Sequence, residues 1–274
     1  MSVQRSMPRP LVALVVVLAV ATAGCSSSST SPPEPSGSST AVEPPSTLSP
    51  SPTPGESLTV QIWLTREGKL FVTTRTIEKT GAVGTATLNA LLAGPTAGEA
   101  ATGVRTAIPD GTKLEGLDID VAFAHPRFST HVESDPLSDA QVVYTLTQFP
   151  TVERVQINDQ EGGPLSRADL QRELPAILVE SPSFGTRVSS PVTVSGTADV
   201  FEATVSIRII DQDDNVVGHA FTTATCGTGC RGNYDKAVSY SVDADQPGFV
   251  MVFEESAENG LPINVVKIPV TLIA

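Results

Sequence analysis

A change of hydrophobic pattern at Pro175 constrains the fold of this 274-residue chain more than any other feature. Up to Pro175, helical and strand periodicities alternate; beyond it, only short apolar runs separated by turn residues are left. These runs are Ile177–Val179, Val188–Val194, Val205–Ile210, Val216–Thr223, Ala237–Val242, Phe249–Phe253 and Val265–Ile273. Such a series of short strands within about 100 residues predicts an all-β immunoglobulin-like sandwich over residues 176–274.

Residues 58–175 mix both periodicities, which predicts a small α+β domain. Gly94-Pro95 ends its first helix, because glycine adopts the left-handed cap and proline cannot continue a helix. A capping box at Ser138 begins the second helix. The predicted elements are the hairpin strands Leu58–Leu64 and Leu70–Ile77, the strands Leu114–Phe123 and Val152–Ile157, and the helices Thr85–Ala93, Ser138–Phe149 and Ser166–Arg172.

The N-terminus has the pattern of a secretory signal. Arg5 and Arg9 precede the apolar run Leu11–Val20, which is too short to span a bilayer comfortably, and small residues lead to Cys25. A cysteine directly after Ala-Gly resembles a bacterial lipobox, although Thr22 stands where leucine is commoner. We predict a signal peptide over residues 1–24, acylation of Cys25 by fatty acids such as palmitate, and a location on the extracytoplasmic face of the membrane. The alternative is a conventional signal peptide and a soluble secreted protein.

Residues 25–57 connect this anchor to the folded part. After Cys25 the segment is almost entirely Ser, Pro and Thr, with eight prolines and no aromatic residue. Because such a composition has little to bury and few backbone donors, it predicts a disordered stalk.

The acidic balance of the chain excludes one class of partner. Its formal net charge is -13. An acidic surface repels phosphates, so we predict no binding of nucleic acid.

Cys226 and Cys230 remain as a pair once Cys25 is acylated. In an oxidising compartment, two cysteines across a short glycine-rich loop favour a disulfide bond. A metal pair or a redox dithiol is the alternative, but His219 is the nearest histidine in sequence and the spacing is not Cys-x-x-Cys.

Motifs in both halves resemble known bacterial domains. Residues 58–174 resemble the GerMN domain of sporulation and germination proteins, although an acidic position of that family is lost in Val121-Ala122-Phe123-Ala124. The second half resembles Gmad2, an immunoglobulin-like module often fused to GerMN. The motifs are Leu91–Thr96 with Glu99, Ala107–Thr112 and Gln141–Leu146 for GerMN, and Ser190–Ala198, Phe201–Val205 and Phe253–Ser256 for Gmad2.

The resemblance implies contact with proteins rather than catalysis. GerMN domains are similar to ring-building modules of envelope assemblies, and Gmad2 is regarded as an extracellular interaction module. Accordingly, we predict no enzymatic activity, no cofactor and no metal.

Direct inspection finds no motif that carries catalysis or calcium binding. No His-x-x-x-His or Gly-x-Ser-x-Gly pattern accompanies the histidines. Asp118 and Asp120 share a strand face, which a solvated edge explains as well as a carboxylate pair does. An EF-hand that begins at Asp211 would need glycine and glutamate where Val216 and Thr222 stand. The histidines are His125, His131 and His219.

Two functions compete at this stage. The first is a tethered module that contacts other envelope proteins, and the alternative is a protein that binds peptidoglycan or another cell-wall glycan. Trp63, the only tryptophan, is out of phase with its apolar neighbours, which predicts that its side chain faces outward. In that position it could bind such a glycan. Glu99 and Arg105 are further candidates for ligand contact, unless they only hold a loop through hydrogen bonds.

Overall fold

The computed structural model describes residues 55–130 and 135–274. The predicted signal peptide, Cys25, most of the predicted stalk and His131 lie outside these residues. Among the described residues, no helix is long and apolar enough to cross a membrane.

The first half contains two small sheets and short helices. One sheet has the strand order β2-β1-β3 and the other the order β4-β5-β6. A 3₁₀ helix, Arg167–Glu173, leads to the second half. The elements are β1 (Ser57–Arg66), β2 (Lys69–Glu78), α1 (Val83–Leu92), α2 (Ala97–Ala101), β3 (Val104–Arg105), β4 (Leu114–Asp120), β5 (Ala122–Phe128), α3 (Pro136–Leu146) and β6 (Val152–Val155).

The second half is a sandwich of a five-stranded sheet, β11-β10-β13-β14-β8, and a three-stranded sheet, β12-β9-β7. The predicted fold class, an α+β domain followed by an immunoglobulin-like sandwich, is therefore confirmed. The strands are β7 (Ile177–Ser181), β8 (Arg187–Val188), β9 (Val192–Ala198), β10 (Thr204–Ile210), β11 (Val216–Thr223), β12 (Gly232–Val238), β13 (Gln246–Glu255) and β14 (Pro262–Leu272).

The predicted run Val188–Val194 forms two strands rather than one. β8 ends at Val188 and β9 begins at Val192, with Pro191 between them. Proline has no N–H to donate to a ladder, so the run divides there.

The predicted strand Leu114–Phe123 also divides in two. β4 and β5 pair with each other around a turn at Val121, which is 84% exposed. Val121 and Ala122 both have positive φ. Neither residue is of a type that marks such a turn, so the sequence pattern hides it.

The second predicted helix begins before its predicted capping box. Asp135 is the N-cap of α3, and its side chain accepts a hydrogen bond from the Leu137 N–H at 3.1 Å. Pro136 takes the first helical position, which suits its fixed φ. Ser138 is buried inside the helix. By contrast, α1 ends at Leu92 and Gly94 has φ +72°, as the Gly94-Pro95 pair predicts.

Strand β1 is buried on both faces. Ile62, Trp63 and Leu64 are all 0% exposed. The Trp63 ring lies 4.7 Å from the ring of Tyr144 in α3. On the opposite face, Thr73, the neighbour of Ile62 on β2, donates a hydrogen bond to Glu99 of α2. The prediction that Trp63 faces outward is wrong, because α3 covers that side of the strand.

The two halves touch where the β1–β2 turn meets the sandwich. The Arg66 guanidinium donates a hydrogen bond to the Lys267 carbonyl of β14 at 3.1 Å. Lys69 donates to the Arg172 carbonyl at 2.5 Å, just before the sandwich begins. Arg231, next to Cys230, donates to the Pro175 carbonyl at 2.5 Å. Side chains from both halves therefore hold the connection between them.

Candidate binding surface

The face of the five-stranded sheet that points away from the sandwich core carries its own hydrophobic cluster. Val205, Ile207 and Ile209 of β10 point into the core. The residues between them point outward, in register with alternate residues of β11 and β13. We call this the outer sheet face, and its members are Ser206, Arg208, Ile210, His219, Phe221, Phe249, Met251, Phe253 and Lys267.

Two cations lie across the aromatic rings of this face. The Arg208 guanidinium is 4.6 Å from the centroid of the Phe253 ring, and the Lys267 ammonium is 6.0 Å from that of Phe249. Such contacts cover the rings with the aliphatic stems while the charges stay near water. Phe253 is only 1% exposed as a result.

One edge of the outer sheet face is uncovered. Phe221 on β11 is 71% exposed and lies opposite Ser206 in register. Between Phe221 and Phe253 is a groove of about 320 Å³, which Arg208, His219 and Glu255 also line. An aromatic ring beside a guanidinium and hydrogen-bonding groups can hold an apolar side chain, with a carboxylate placed on the Arg208 side of the groove, away from Glu255.

Sequence reasoning missed this surface, although a signal was present. The run Phe249-Val250-Met251-Val252-Phe253 is apolar at every position. A strand with one solvated face alternates, so an unbroken run indicates that both faces are covered or bind something.

Glu99 has a structural role. Its carboxylate accepts hydrogen bonds from Arg75 at 2.6 Å, from Thr73 at 2.7 Å and from the Thr96 N–H at 2.7 Å, and the residue is 1% exposed. Burial raises the pKa of Glu99, but the hydrogen bonds from Arg75, Thr73 and Thr96 outweigh it and hold the pKa below its usual value. The carboxylate oxygens therefore accept hydrogen bonds from groups within the protein. This agrees with the alternative that Glu99 only holds a loop.

Arg105 is exposed and caps a helix. Its guanidinium donates to the carbonyls of Ala100 and Val104, each at 2.7 Å. No ion pair among the described residues joins Arg105 to Glu99, whose carboxylate pairs with Arg75. The structure therefore does not bring Trp63, Glu99 and Arg105 together as one site.

Cys226 and Cys230 form the predicted disulfide bond, with their Cα atoms 5.7 Å apart. Glycine is needed beside the bond, because a Cβ atom at Gly232 would lie 2.1 Å from the Cys226 nitrogen. The loop is held by hydrogen bonds from the Thr228 N–H to the Val200 carbonyl and from the Gly229 N–H to Asp199, each 2.9 Å.

Two of the carboxylates singled out in the sequence have partners. Asp118 forms an ion pair with Arg127. Asp118 itself lies opposite His125 in the β4–β5 register. Asp211 accepts hydrogen bonds from the N–H groups of Asp213 and Asn215, which shape the turn between β10 and β11. Hydrogen bonds from the Asn215 side chain and backbone, and from the Asp213 N–H, lower the pKa of Asp211.

Within residues 55–130 and 135–274, no three His, Cys, Asp or Glu side chains come close enough to hold a metal ion.

Fold and surface together define a protein whose first half mixes α and β elements and whose second half is an immunoglobulin-like sandwich with one disulfide bond. Residues 52–166 match the family model Germane, described as sporulation and spore germination, and residues 176–261 match Gmad2, described as an immunoglobulin-like domain of bacterial spore germination. Residues 52–166 therefore belong to the first of these families and residues 176–261 to the second. This confirms the resemblance to GerMN and Gmad2 domains.

Two solved structures are similar to parts of the chain. The tandem GerMN domains of the sporulation protein GerM from Bacillus subtilis match at 14% identity and a TM-score of 0.34, over 79% of this chain and 61% of that one. A candidate lipoprotein from Clostridium perfringens matches at 18% identity and a TM-score of 0.29, over 43% of this chain and 93% of that one. A comparison with curated protein sequences finds no match.

Proposed function

We propose that this protein is a lipid-anchored, non-catalytic binding module on the extracytoplasmic face of the bacterial membrane. Its outer sheet face holds another envelope protein. The observation that carries the proposal is the apolar cluster of this face with the uncovered ring of Phe221 at its edge. Aromatic residues, methionine and arginine are enriched at the cores of protein interfaces.

The charges of the outer sheet face specify the partner further. Arg208 and Lys267 are cations in a chain whose formal net charge is -13. A partner with an apolar side chain for the groove and carboxylates at its rim would complement this surface. Nucleic acid is not a partner in this proposal, because most of the chain's charge repels phosphates.

The main sequence feature in favour of the alternative function, binding of a cell-wall glycan, is not available on the surface. This alternative depended on Trp63 as an aromatic platform, and Trp63 is fully buried. Capture of a cell-wall glycan at the outer sheet face would therefore contradict the proposal.

The test is site-specific photo-crosslinking in intact cells. A photoreactive residue at Phe221 should give one main protein adduct, while the same residue at exposed Asp235 on the other sheet should not. Arg208→Glu should reduce the adduct at position 221 by about tenfold, as expected when a charge at an interface is reversed.

Three outcomes would contradict the proposal. They are equal adducts from positions 221 and 235, an adduct that Arg208→Glu leaves unchanged, and an adduct of wall glycan instead of protein. The last would favour the glycan alternative.

A further inference from the structure

A cavity of about 560 Å³ lies where the β1–β2 turn meets the sandwich. Its inner wall is apolar, with buried Phe71, Ile177 and Ile268. Arg66, Glu67 and Lys69 of the turn line its rim, two cations and one anion. The cavity is separate from the outer sheet face.

One wall of this cavity is the edge of a strand. β14 pairs with β13 on one side, and on its other side it pairs with β8 only at Thr271 and Leu272. Among the described residues, no strand pairs with this second edge between Val265 and Ile268. An open edge of this kind is a template for another strand, and β8 already uses it at the far end.

The backbone of Lys267 faces this open edge. Its carbonyl accepts the hydrogen bond from Arg66, and two residues further on the Pro269 carbonyl accepts one from the Gly185 N–H at 2.8 Å. Residues two apart in a strand direct their backbone groups to the same side, so the Lys267 N–H points there as well. Pro269 in this strand also fits an edge, since proline has no N–H for a ladder.

Arg66 supplies a cation to the cavity. It is half-buried, and its guanidinium lies over the Phe71 ring at 4.8 Å. It takes part in none of the ion pairs among the described residues. Burial lowers the pKa of Arg66, and nearby Glu67 only partly offsets this. A guanidinium has five N–H donors, so it can hold the Lys267 carbonyl and still bind a carboxylate.

We propose that this cavity binds an extended polypeptide segment that adds as a strand to the edge of β14 and places a carboxylate on Arg66. Main-chain hydrogen bonds to β14 would contribute affinity, and the carboxylate would contribute selectivity. The inference rests on the proposed binding function but names a second surface and the chemistry of its ligand.

A random peptide display library selected on the purified full chain tests the proposal. The enriched peptides should share an acidic residue within an alternating apolar pattern. Binding of one such peptide, followed by fluorescence anisotropy, should weaken about tenfold or more in Arg66→Gln, because a hydrogen bond between charged groups is lost.

Two substitutions at one position separate strand addition from side-chain effects. Lys267→Pro and Lys267→Ala remove the same side chain, but only the proline removes the N–H at the edge. We expect the peptide to bind Lys267→Pro about three- to tenfold more weakly than Lys267→Ala, the equivalent of one hydrogen bond.

Equal binding by these two variants would overturn the proposal, as would a selection without enrichment or an Arg66→Gln variant that binds like the parent. The photo-crosslinks at Phe221 are measured in a chain that keeps Arg66 and Lys267, so failure of this inference is distinct from failure of the proposed function.

Discussion

At the scale of single residues, Glu99 shows how a charge can be buried without being a binding site. Its carboxylate accepts from three side chains and one backbone N–H, and Arg75 neutralises it. It also completes the capping box of α2 with Thr96. Hydrogen bonds to this carboxylate connect β2 to α2. Removal of the carboxylate should therefore lower the stability of the fold rather than weaken the binding of a ligand.

Glu99→Gln should lower the free energy of unfolding by about 2 kcal/mol at neutral pH, because charge-assisted hydrogen bonds are lost. The pKa of Glu99 is lowered in the folded protein, so its contribution is present above the unfolded carboxyl pKa of about 4.3 and disappears as the pH falls through the lower folded value. Urea unfolding at several pH values should therefore show the two proteins converging on acidification.

The matched control is Glu153→Gln, an exposed glutamate with no ion pair among the described residues. We expect it to change stability by less than about 0.5 kcal/mol at any of these pH values. A difference between Glu99→Gln and the parent that stays constant with pH would contradict the assigned role of the carboxylate.

At the scale of elements, local patterns predicted what depends on local chemistry. The hairpin β1–β2 follows from two-residue alternation, and the end of α1 follows from Gly94. The turn at Val121 could not be predicted, because neither Val121 nor Ala122 belongs to the residue types that favour positive φ. The spacing of residues within one element does not show which other elements pack against it.

Trp63 and the outer sheet face were missed for the same reason. Alternation predicts an exposed face only for a strand with solvent on one side. Tyr144 of α3 covers the Trp63 side of β1, and on the opposite face Thr73 of the neighbouring strand β2 contacts α2. Conversely, β13 has apolar residues on both of its faces. Those that point away from the sandwich core form the outer hydrophobic cluster. Which elements pack together decides both cases, and that is a property of the tertiary structure.

The disulfide loop gives a prediction at the scale of elements. In a Cys25→Ser full chain, the thiols of Cys226 and Cys230 should not react with a maleimide label until a reductant is added, because both sulfurs are bonded. Mass spectrometry should then show two labels after reduction and none before it. Labelling of the folded, unreduced protein would contradict the bond.

At the scale of the whole molecule, the proposed location depends on Cys25, which precedes the described residues. Cys25→Ser should move the protein from the membrane fraction to the soluble extracytoplasmic fraction, because acyl chains would no longer hold it. Immunoblots of fractionated cells measure this distribution. The double variant Cys226→Ser/Cys230→Ser keeps the anchor and should remain with the membrane. A Cys25→Ser protein that still sediments with membranes would contradict lipid anchoring.

The hairpin of β1 and β2 determines how the described residues would respond to mechanical force. The chain enters β1 at Ser57, and the other end of that strand, at Arg66, contacts the sandwich. The two points are about 30 Å apart, nine steps of a ten-residue strand. A pull between an anchor before Ser57 and a partner on the sandwich would run along β1. It would load the whole β1–β2 ladder in shear, so that many hydrogen bonds would have to break together rather than one after another.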